Sequence, residues 1–205
     1  MLLVRHGETV LNARGRHQYP DTKLSKLGIK QAELLGLRLS SVRPDIIICS
    51  RLPRAVQTAK IISKATKSRI VYSNILYEFK RPSMLHGKPY NSPFSERIKA
   101  SIIESVSDPE YHYSDEENYT ELRKRAAKAL SLLMRRKEKY VLVVTHGNMI
   151  GMMLSVMLIG MDVPITLSVS LARKFYISNT GITECEVGND GKISLVTVND
   201  FTHLK

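Results

Sequence analysis

The stretch MLLVRHGET, residues 1–9, decides the fold class that this sequence predicts. Its first four residues form an apolar run that can lie as a short buried strand. The run breaks into Arg5 and His6, and Gly7 behind them lets the backbone turn. A cation beside an imidazole at the carboxyl end of a strand stands where open α/β sheets bind their ligands. A single Arg-His pair could equally open a solvated loop, so this stretch alone leaves both interpretations open.

A second strand with the same ending favours the functional interpretation. The stretch YVLVVTHG, residues 140–147, is another apolar run, and it ends in His146 and Gly147. Two strands that each end in His-Gly are hard to attribute to two unrelated loops. The repeated ending therefore predicts that both imidazoles lie at one edge of the sheet.

A third strand is followed by a potential anion site. Residues 45–49, DIIIC, form a continuous apolar run, and Ser50 behind them is a plausible helix N-cap. A helix N-terminus favours anions, and Arg54 in its first turn adds a planar fork of donors that matches a phosphate. The neighbouring Arg51 could do the same, or it could be a solvated surface charge.

These three segments closely resemble the histidine phosphatase superfamily, the phosphoglycerate mutase-like proteins. Residues 3–9 match its Arg-His-Gly signature, residues 50–59 match its Ser-x-x-x-Arg-Ala-x-Gln-Thr-Ala helix, and residues 145–147 match its second His-Gly. The resemblance runs from residue 1 to about residue 185 in chain order. It implies that Asn12 takes the position of an Asn that often touches the phosphate.

The chemistry of phosphoryl transfer can be argued from the residues as well. The transferred group needs positioned cations and a nucleophile, and imidazole is a competent nucleophile near neutral pH. We expect His6 to be that nucleophile, with one ring nitrogen held by a backbone carbonyl. Arg5, Arg54 and His146 would surround the oxygens, and His146 must carry a proton to assist. The two guanidiniums should keep both imidazoles neutral until a dianionic substrate enters.

A leaving alkoxide needs a proton, which requires a carboxyl acid. Residues 76–78, LYE, resemble the Leu-x-Glu of the family, which implies that Glu78 protonates the leaving group. The apolar residues between 70 and 76 predict that Glu78 also follows a strand. Glu8 is a weaker candidate that could support the site from behind. The predicted catalytic residues are His6, Glu78, His146, Arg5 and Arg54, and the predicted substrate-binding residues are Arg5, Gly7, Asn12, Arg54, His146 and Gly147.

Three departures from the family pattern affect the choice of substrate. Gln18 is followed by residues 19–21, YPD, where the family commonly has Gly, which shortens the loop. The stretch after Glu78 lacks the Trp of the family's Gly-x-Trp-x-Gly, and a Gly-Glu-Ser segment appears only as residues 116–118, EEN. The resemblance therefore implies a reaction class and leaves the substrate open.

Length and composition set the outer limits. The 205 residues are enough for one core, and we expect a single domain over 1–205 with a cap insertion at about 80–118. With no Asp-rich cluster, metal-independent transfer without a cofactor is the simpler expectation. The sequence contains neither an apolar run of transmembrane length nor a signal-like amino end, so no membrane association is expected. The two cysteines suggest reduced thiols in a cytoplasm, although a bridge between them is not excluded.

The net charge of +12 is the unusual bulk property. It suits a small phosphorylated substrate and speeds its arrival. It would also permit nucleic-acid contact, but no zinc, RRM or helix-turn-helix signature supports such a partner. We interpret the basic runs 123–125 and 135–137 as solvated helix faces. A monomer or a homodimer is expected.

The order of the elements predicts an α/β fold, a three-layer sandwich with a mostly parallel central sheet and helices on both faces. The predicted helices cover 24–39, 55–65, 93–106, 119–137 and 147–158. The last part of the chain is predicted to form closing strands over 169–178, 182–187 and 193–198, with a hairpin turn at 188–191.

Three functions fit these observations. A phosphatase would pass the phosphoryl group from His6 to water, whereas a phosphoglycerate mutase would keep a bisphosphorylated intermediate and return the phosphoryl group to the substrate. The resemblance implies that mutases are usually longer, with extra basic and aromatic residues in the insertion, so the short insertion here favours the phosphatase. A non-catalytic module that binds phosphorylated ligands or nucleic acid is the third, and it would have no need of a nucleophile.

Overall fold

Strands and helices alternate along most of the chain in the computed structural model, which describes residues 1–188 and 191–205. Three short 3₁₀ turns lie at Asn74–Leu76, Ser83–Leu85 and Thr202–Leu204. The strands and helices are β1 (Leu2–Arg5), α1 (Lys26–Leu39), β2 (Ile46–Ser50), α2 (Pro53–Thr66), β3 (Arg69–Ser73), α3 (Pro93–Glu104), α4 (Tyr119–Met134), β4 (Val141–Thr145), α5 (Gly147–Ile159), α6 (Ile165–Ala172), β5 (Ile182–Val187) and β6 (Ile193–Asp200).

The strands form one sheet in the order β3-β2-β4-β1-β5-β6. The first four are mutually parallel, and β5 and β6 add antiparallel to the edge at β1. In the register, Arg5 pairs with Thr145 and Cys49 pairs with Val144. The carboxyl ends of β1, β4 and β2 therefore lie level at one edge of the sheet.

The central strands are apolar on both faces because helices cover both. Leu3 and Val143 pack into the core under α4 and α5, whereas Val4 and Val144 pack against α1 and α2. This alternation follows from the two-residue period of a strand, and it explains why these runs are continuously hydrophobic. The predicted three-layer sandwich with a mostly parallel sheet is confirmed.

The prediction of a closing strand over 169–178 is wrong. Residues Ile165–Ala172 form α6, and the chain then runs irregularly to β5. Alternating apolar and small polar residues fit a strand, but Pro164 fixes the backbone before the first turn, and α6 packs against α5. Gly151 of α5 makes this possible, since a Cβ there would lie 2.7 Å from the Ala172 carbonyl oxygen. Tertiary packing overrides the local pattern.

The closing strands over 182–187 and 193–198 are confirmed as β5 and β6. Of the hairpin turn predicted at 188–191, residues 189 and 190 lie outside the described residues.

Both cysteines are free and buried, and they stand on β2 and β5. Two further strands, β4 and β1, lie between these two. Three strand spacings are about 14 Å, far beyond the reach of about 7 Å between the Cα atoms of a disulfide. A bridge between Cys49 and Cys185 is therefore excluded by the sheet order. Among the described residues, none of the helices has the length and apolar character needed to cross a membrane.

Candidate active site

The two His-Gly pairs meet at the carboxyl edge of the sheet, as their positions in the sequence predict. His6 follows β1 and His146 follows β4, and these strands are neighbours. The ring centroids of the two imidazoles lie 5.1 Å apart, with a 60° angle between the planes. His6 is 1% exposed and His146 is fully buried. The parallel register thus brings together two histidines that are 140 residues apart.

The backbone and ring of His6 are fixed by hydrogen bonds. Its amide donates to the Thr145 carbonyl oxygen at 3.0 Å, and its own carbonyl oxygen accepts from Asn179 Nδ2 at 2.9 Å. Its Nδ1 lies 2.7 Å from the Gly7 carbonyl oxygen. A carbonyl oxygen can only accept, so Nδ1 carries the proton and Nε2 keeps its lone pair. The expected backbone carbonyl is present, and it leaves Nε2 as the ring atom with a free lone pair.

His146 is oriented by Ser50, which the sequence analysis assigns to a helix N-cap. Its Nε2 lies 2.8 Å from Ser50 Oγ, and that oxygen also accepts from the Leu52 amide at 3.3 Å. The Ser50 hydroxyl hydrogen is then available to Nε2, which leaves the proton of a neutral ring on Nδ1. His146 Nδ1 is buried and has no partner among the described residues. It can therefore donate to a phosphate oxygen without the ring becoming cationic.

The predicted N-cap role of Ser50 is wrong. Ser50 is the last residue of β2, and Leu52 takes the N-cap position of α2. Pro53 starts the helix and sets its backbone angle in advance, so the helix begins without a side-chain cap. The hydroxyl is thereby available for His146.

Burial keeps both imidazoles neutral. It is the largest cause that lowers the pKa of His6 and of His146 well below 6.5, and the charges of Arg54 and Arg5 lower both further. The sequence argument names only the guanidiniums, whereas desolvation at the sheet edge is the stronger effect. A neutral His6 is the form that can attack phosphorus.

Two guanidiniums supply positive charge, that of Arg54 buried and that of Arg5 partly buried. Arg54, the second residue of α2, is 4% exposed, and one Nη donates to the Tyr19 carbonyl oxygen at 3.4 Å. Arg5 donates to the Ile177 carbonyl oxygen at 2.5 Å. The Nε atoms of both are buried without a partner in the part of the chain that the structure describes. These arginines keep donors free for an incoming anion.

Arg51 does not share this arrangement. Its side chain is exposed, and its guanidinium lies over the Tyr72 ring at 5.9 Å from the centroid. Of the two arginines after β2, only Arg54 lines the cavity.

A cavity of about 830 Å³ opens at this edge of the sheet. Arg5, Asn12, Arg54, Glu78 and Gly147 contribute to its wall, whereas the buried His6 and His146 are not among its lining residues. Asn12 Oδ1 accepts from the Thr9 amide at 3.3 Å. Among residues 1–188 and 191–205, no three His, Cys, Asp or Glu side chains are grouped so that they could hold a metal ion. Metal independence itself remains a prediction.

Gly7 does not line the cavity, and its role is to allow close packing of the backbone. Its amide donates to Thr58 Oγ1 at 3.1 Å. A Cβ on Gly7 would lie 2.4 Å from the Gly28 carbonyl oxygen, and one on Gly28 would lie 1.9 Å from the Glu8 carbonyl oxygen. The two glycines let the start of α1 pack directly on the loop after β1.

Glu78 reaches the cavity by a different route from the one predicted. It follows the 3₁₀ turn Asn74–Leu76, not the end of β3 at Ser73. Its Oε1 accepts from the Phe79 amide at 2.8 Å, and its carboxylate lies close enough to Arg54 to raise the pKa of that guanidinium, against the larger lowering by burial. Glu8 does not line the cavity, and its Oε1 accepts from Ser25 Oγ at 2.7 Å. Of the two candidate acids, only Glu78 lies at the cavity.

The interpretation of residues 123–125 as a solvated face is wrong for both arginines. Arg125 donates to the carbonyl oxygens of Ile75 at 3.0 Å and Tyr77 at 2.6 Å, and it pairs with Glu117 at 2.5 Å. Arg123 donates to the Val163 carbonyl oxygen at 2.8 Å. Arg125 thus holds the segment that carries Glu78, a role that the sequence analysis missed. Helical spacing could have predicted this role, because position 125 stands beside the buried stripe of α4.

Tyr90, from the predicted cap insertion, was also missed. Its hydroxyl accepts from Asn12 Nδ2 at 3.4 Å, and its ring packs edge to face on His17 at 4.8 Å. No local pattern marks this residue, because its partners are more than 70 positions away.

A family model of the histidine phosphatase superfamily (branch 1) matches residues 1–200. The chain belongs to this superfamily. Among curated relatives, the probable phosphoglycerate mutase GpmB of Yersinia pestis is 35% identical over 160 residues, which cover 76% of this chain and 73% of that protein.

Two solved structures resemble the whole chain. A mutant phosphoserine phosphatase of Entamoeba histolytica, in complex with phosphoserine, is 27% identical with a TM-score of 0.78, covering 100% of this chain and 98% of that one. YhfR of Bacillus stearothermophilus is 27% identical with a TM-score of 0.80, over the same shares of the two chains. The superfamily consists of phosphatases and mutases, so the protein is an enzyme.

Proposed function

We propose that this enzyme is a metal-independent phosphomonoesterase that forms a phosphohistidine on His6. The observation that carries the proposal is the buried pair of neutral imidazoles, His6 and His146, enclosed by Arg5 and Arg54. Phosphoryl transfer needs little covalent chemistry beyond a nucleophile and positioned positive charge. The site contains both.

In the first step, the lone pair of His6 Nε2 attacks phosphorus and the bond from phosphorus to the alcohol oxygen breaks. A protonated Glu78 gives its proton to that oxygen, and the alcohol leaves. Arg5 and Arg54 donate to the equatorial oxygens, and His146 Nδ1 donates to a third.

In the second step, water attacks phosphorus while the Glu78 carboxylate takes a proton from it. The bond between phosphorus and Nε2 breaks, and the electron pair returns to the ring. The sum is hydrolysis of a phosphomonoester to an alcohol and inorganic phosphate, with the enzyme restored.

A phosphoglycerate mutase is the second candidate, and the 35% identical relative supports it. In that reaction an alcohol, not water, would take the phosphoryl group from His6. Two observations favour hydrolysis: the segment at 80–118 is short, and the phosphoserine phosphatase matches 100% of this chain. The substrate would be a small phosphorylated molecule that enters from the open side of the cavity.

The free, buried thiols support a reducing compartment, and we propose the cytoplasm. Burial raises the pKa of Cys49 to about 12, so this thiol is not reactive.

A phosphate-release screen with a parallel mutase assay tests the proposal. The purified protein is offered sugar phosphates, nucleotides, phosphopeptides and phosphoglycerates, and isomerisation of 3-phosphoglycerate is followed separately. We expect inorganic phosphate from at least one class, and slower isomerisation than hydrolysis. Faster isomerisation would establish the mutase. Tight, salt-sensitive binding of nucleic acid without turnover would establish the binding module.

A further inference from the structure

Two polar atoms of the cavity wall are buried and unpaired within the described residues. They are Nε2 of His17 and Oε1 of Gln18, on consecutive residues that both line the cavity. His17 is 5% exposed as a whole. Buried polar atoms in folded proteins nearly always have a hydrogen-bond partner, because leaving them unpaired costs free energy. Two such atoms on consecutive residues of a cavity wall point to a ligand that pairs with them.

The His17 backbone is held on both sides, and its ring packs against a neighbouring ring. Its backbone amide donates to the Lys88 carbonyl oxygen at 2.9 Å, and its carbonyl oxygen accepts from the Gly87 amide at 2.9 Å. Its ring packs on Tyr90 at an interplanar angle of 78°. The ring orientation is therefore set before any ligand arrives, as a recognition group requires.

His17 lies close to the residues that we assign to the phosphate. The Tyr90 ring that packs on it is bonded through its hydroxyl to Asn12, and Asn12 shares the cavity wall with Arg5 and Arg54. One tyrosine ring thus separates the imidazole from the phosphate site. This distance suits contact with the alcohol part of a substrate, a few carbons from the ester oxygen.

The charges around His17 determine what it can recognise. Burial, Arg81 and Lys99 lower its pKa to about 4, with a smaller effect of His86 and an opposing one of Glu96. The ring is therefore neutral near pH 7 and has one acceptor nitrogen, which is the buried Nε2 when the proton is on Nδ1. The neighbouring Arg81 and Lys99 can only donate hydrogen bonds. The His17 imidazole and the Gln18 amide oxygen therefore supply the acceptors at this part of the cavity.

We propose that His17 is a specificity-determining residue that accepts a hydrogen bond from a hydroxyl or ammonium group on the alcohol part of the substrate, with Gln18 as a second acceptor. The substrate class is then a polyol or amino-alcohol phosphate, not a plain alkyl or aryl phosphate. This inference rests on the proposed hydrolysis at His6.

Matched pairs of substrates test it. Glycerol 3-phosphate and n-propyl phosphate differ only in hydroxyl groups, and phosphoethanolamine and ethyl phosphate differ in an amino group. We expect the wild-type kcat/KM to be about tenfold higher or more for the substrate with the donor in at least one pair, and that pair identifies the donor. A lack of preference in both pairs would overturn the inference.

His17→Phe keeps a ring against Tyr90 and removes the nitrogen atoms. It should lower kcat/KM for the preferred donor substrate about tenfold, mainly through KM, and leave its matched partner within about twofold. His17→Gln should recover part of the loss. His86→Phe is the matched control in the same cavity. It should leave the ratio of kcat/KM between the two members of each substrate pair unchanged. Equal losses on both members of a pair in His17→Phe would show a structural role only.

The outcomes separate this inference from the proposed function. Hydrolysis of the plain alkyl phosphates with no preference for the donor substrate in either pair would leave the phosphatase intact and remove the role of His17. If no substrate is hydrolysed, calorimetric binding of the same pairs to wild type and His17→Phe still measures recognition. Equal affinities there would again overturn the inference.

Discussion

The sheet edge that carries the two imidazoles and the predicted cap segment, residues 80–118, are built differently. At the edge, His6, His146 and Arg54 are at most 4% exposed, and their backbones belong to strand ends or to a helix start. In the cap segment, the Lys80 side chain is 60% exposed and pairs with Asp115, which is itself 46% exposed. Exposed ion pairs contribute little to stability, whereas buried groups in a backbone ladder are fixed by the whole fold.

This difference indicates that the two regions have different roles. Under the proposed function, the groups that must meet phosphorus with small positional error stand on the rigid edge. Groups that meet the variable part of a substrate stand on loops, which tolerate change. Substitutions at the edge should therefore reduce turnover of every substrate by a similar factor, while substitutions on the loop side should depend on the substrate.

The largest effect is expected from His6→Ala. Loss of the nucleophile should lower phosphate release at least about a thousandfold for all substrates alike. Mass spectrometry after a neutral quench should find an acid-labile phosphoryl group on the wild-type peptide that contains residue 6. The exposed His112→Ala serves as the control. Retained activity in His6→Ala would refute the assignment.

The loss of turnover in Glu78→Gln should depend on the leaving group of the substrate. Alkyl phosphates need a proton on the departing oxygen, so their turnover should fall by about 10²-fold or more, whereas p-nitrophenyl phosphate should lose far less. Glu8→Gln is the matched control, since Glu8 lies outside the cavity wall. Equal losses with both kinds of substrate would move the acid role to another residue.

Arg54→Lys keeps the charge and removes the planar fork. We expect turnover of all substrates to fall by about ten- to a hundredfold, because an ammonium cannot form the bidentate contact to phosphate. Arg51→Lys, three residues earlier and exposed, should stay close to wild type. Similar rates for the two variants would show that the fork is not used.

Ser50→Ala should have a smaller effect at the same edge. Without the hydroxyl, Nε2 of His146 loses its partner and the proton is no longer directed to Nδ1, so kcat should fall by about two- to tenfold for every substrate. ¹⁵N NMR of His146 would report the change of tautomer. Ser73→Ala, the position paired with Ser50 on β3, is the control. An unchanged tautomer would contradict the role given to Ser50.

The smallest effect is on stability against acid. The pKa values of His6, His146 and His17 are lowered in the fold, so the unfolded chain binds these protons first as the pH falls below 6.5. The free energy of unfolding should therefore decrease between pH 6.5 and about 4. The exposed His112 has a raised pKa and acts in the opposite direction.

Thermal melts at pH 8, 6.5 and 5 check this sign. His17→Phe should make the decrease shallower, because it removes one group that the fold keeps neutral. A steeper decrease in that variant would contradict the assignment.

Continuous apolar runs followed by polar residues were enough to predict the parallel strands, their helices and the His-Gly endings. Such runs are informative because a strand covered on both faces admits hydrophobic side chains at every position. The same reasoning failed at α6, where an alternating pattern fits both a strand and a helix. Packing against α5 made that choice, and no local residue preference could have done so.

The sequence by itself determined the predicted reaction centre, because His6 and His146 each stand directly after a strand and Arg54 stands in the first turn of a helix that follows one, and these patterns are visible in one dimension. Only the tertiary structure decided what supports and surrounds them. Ser50 reaches His146, Arg125 holds the segment of Glu78, and Tyr90 joins His17 to Asn12 across long separations in the chain. These contacts depend on distances between elements, which periodicity and composition do not encode.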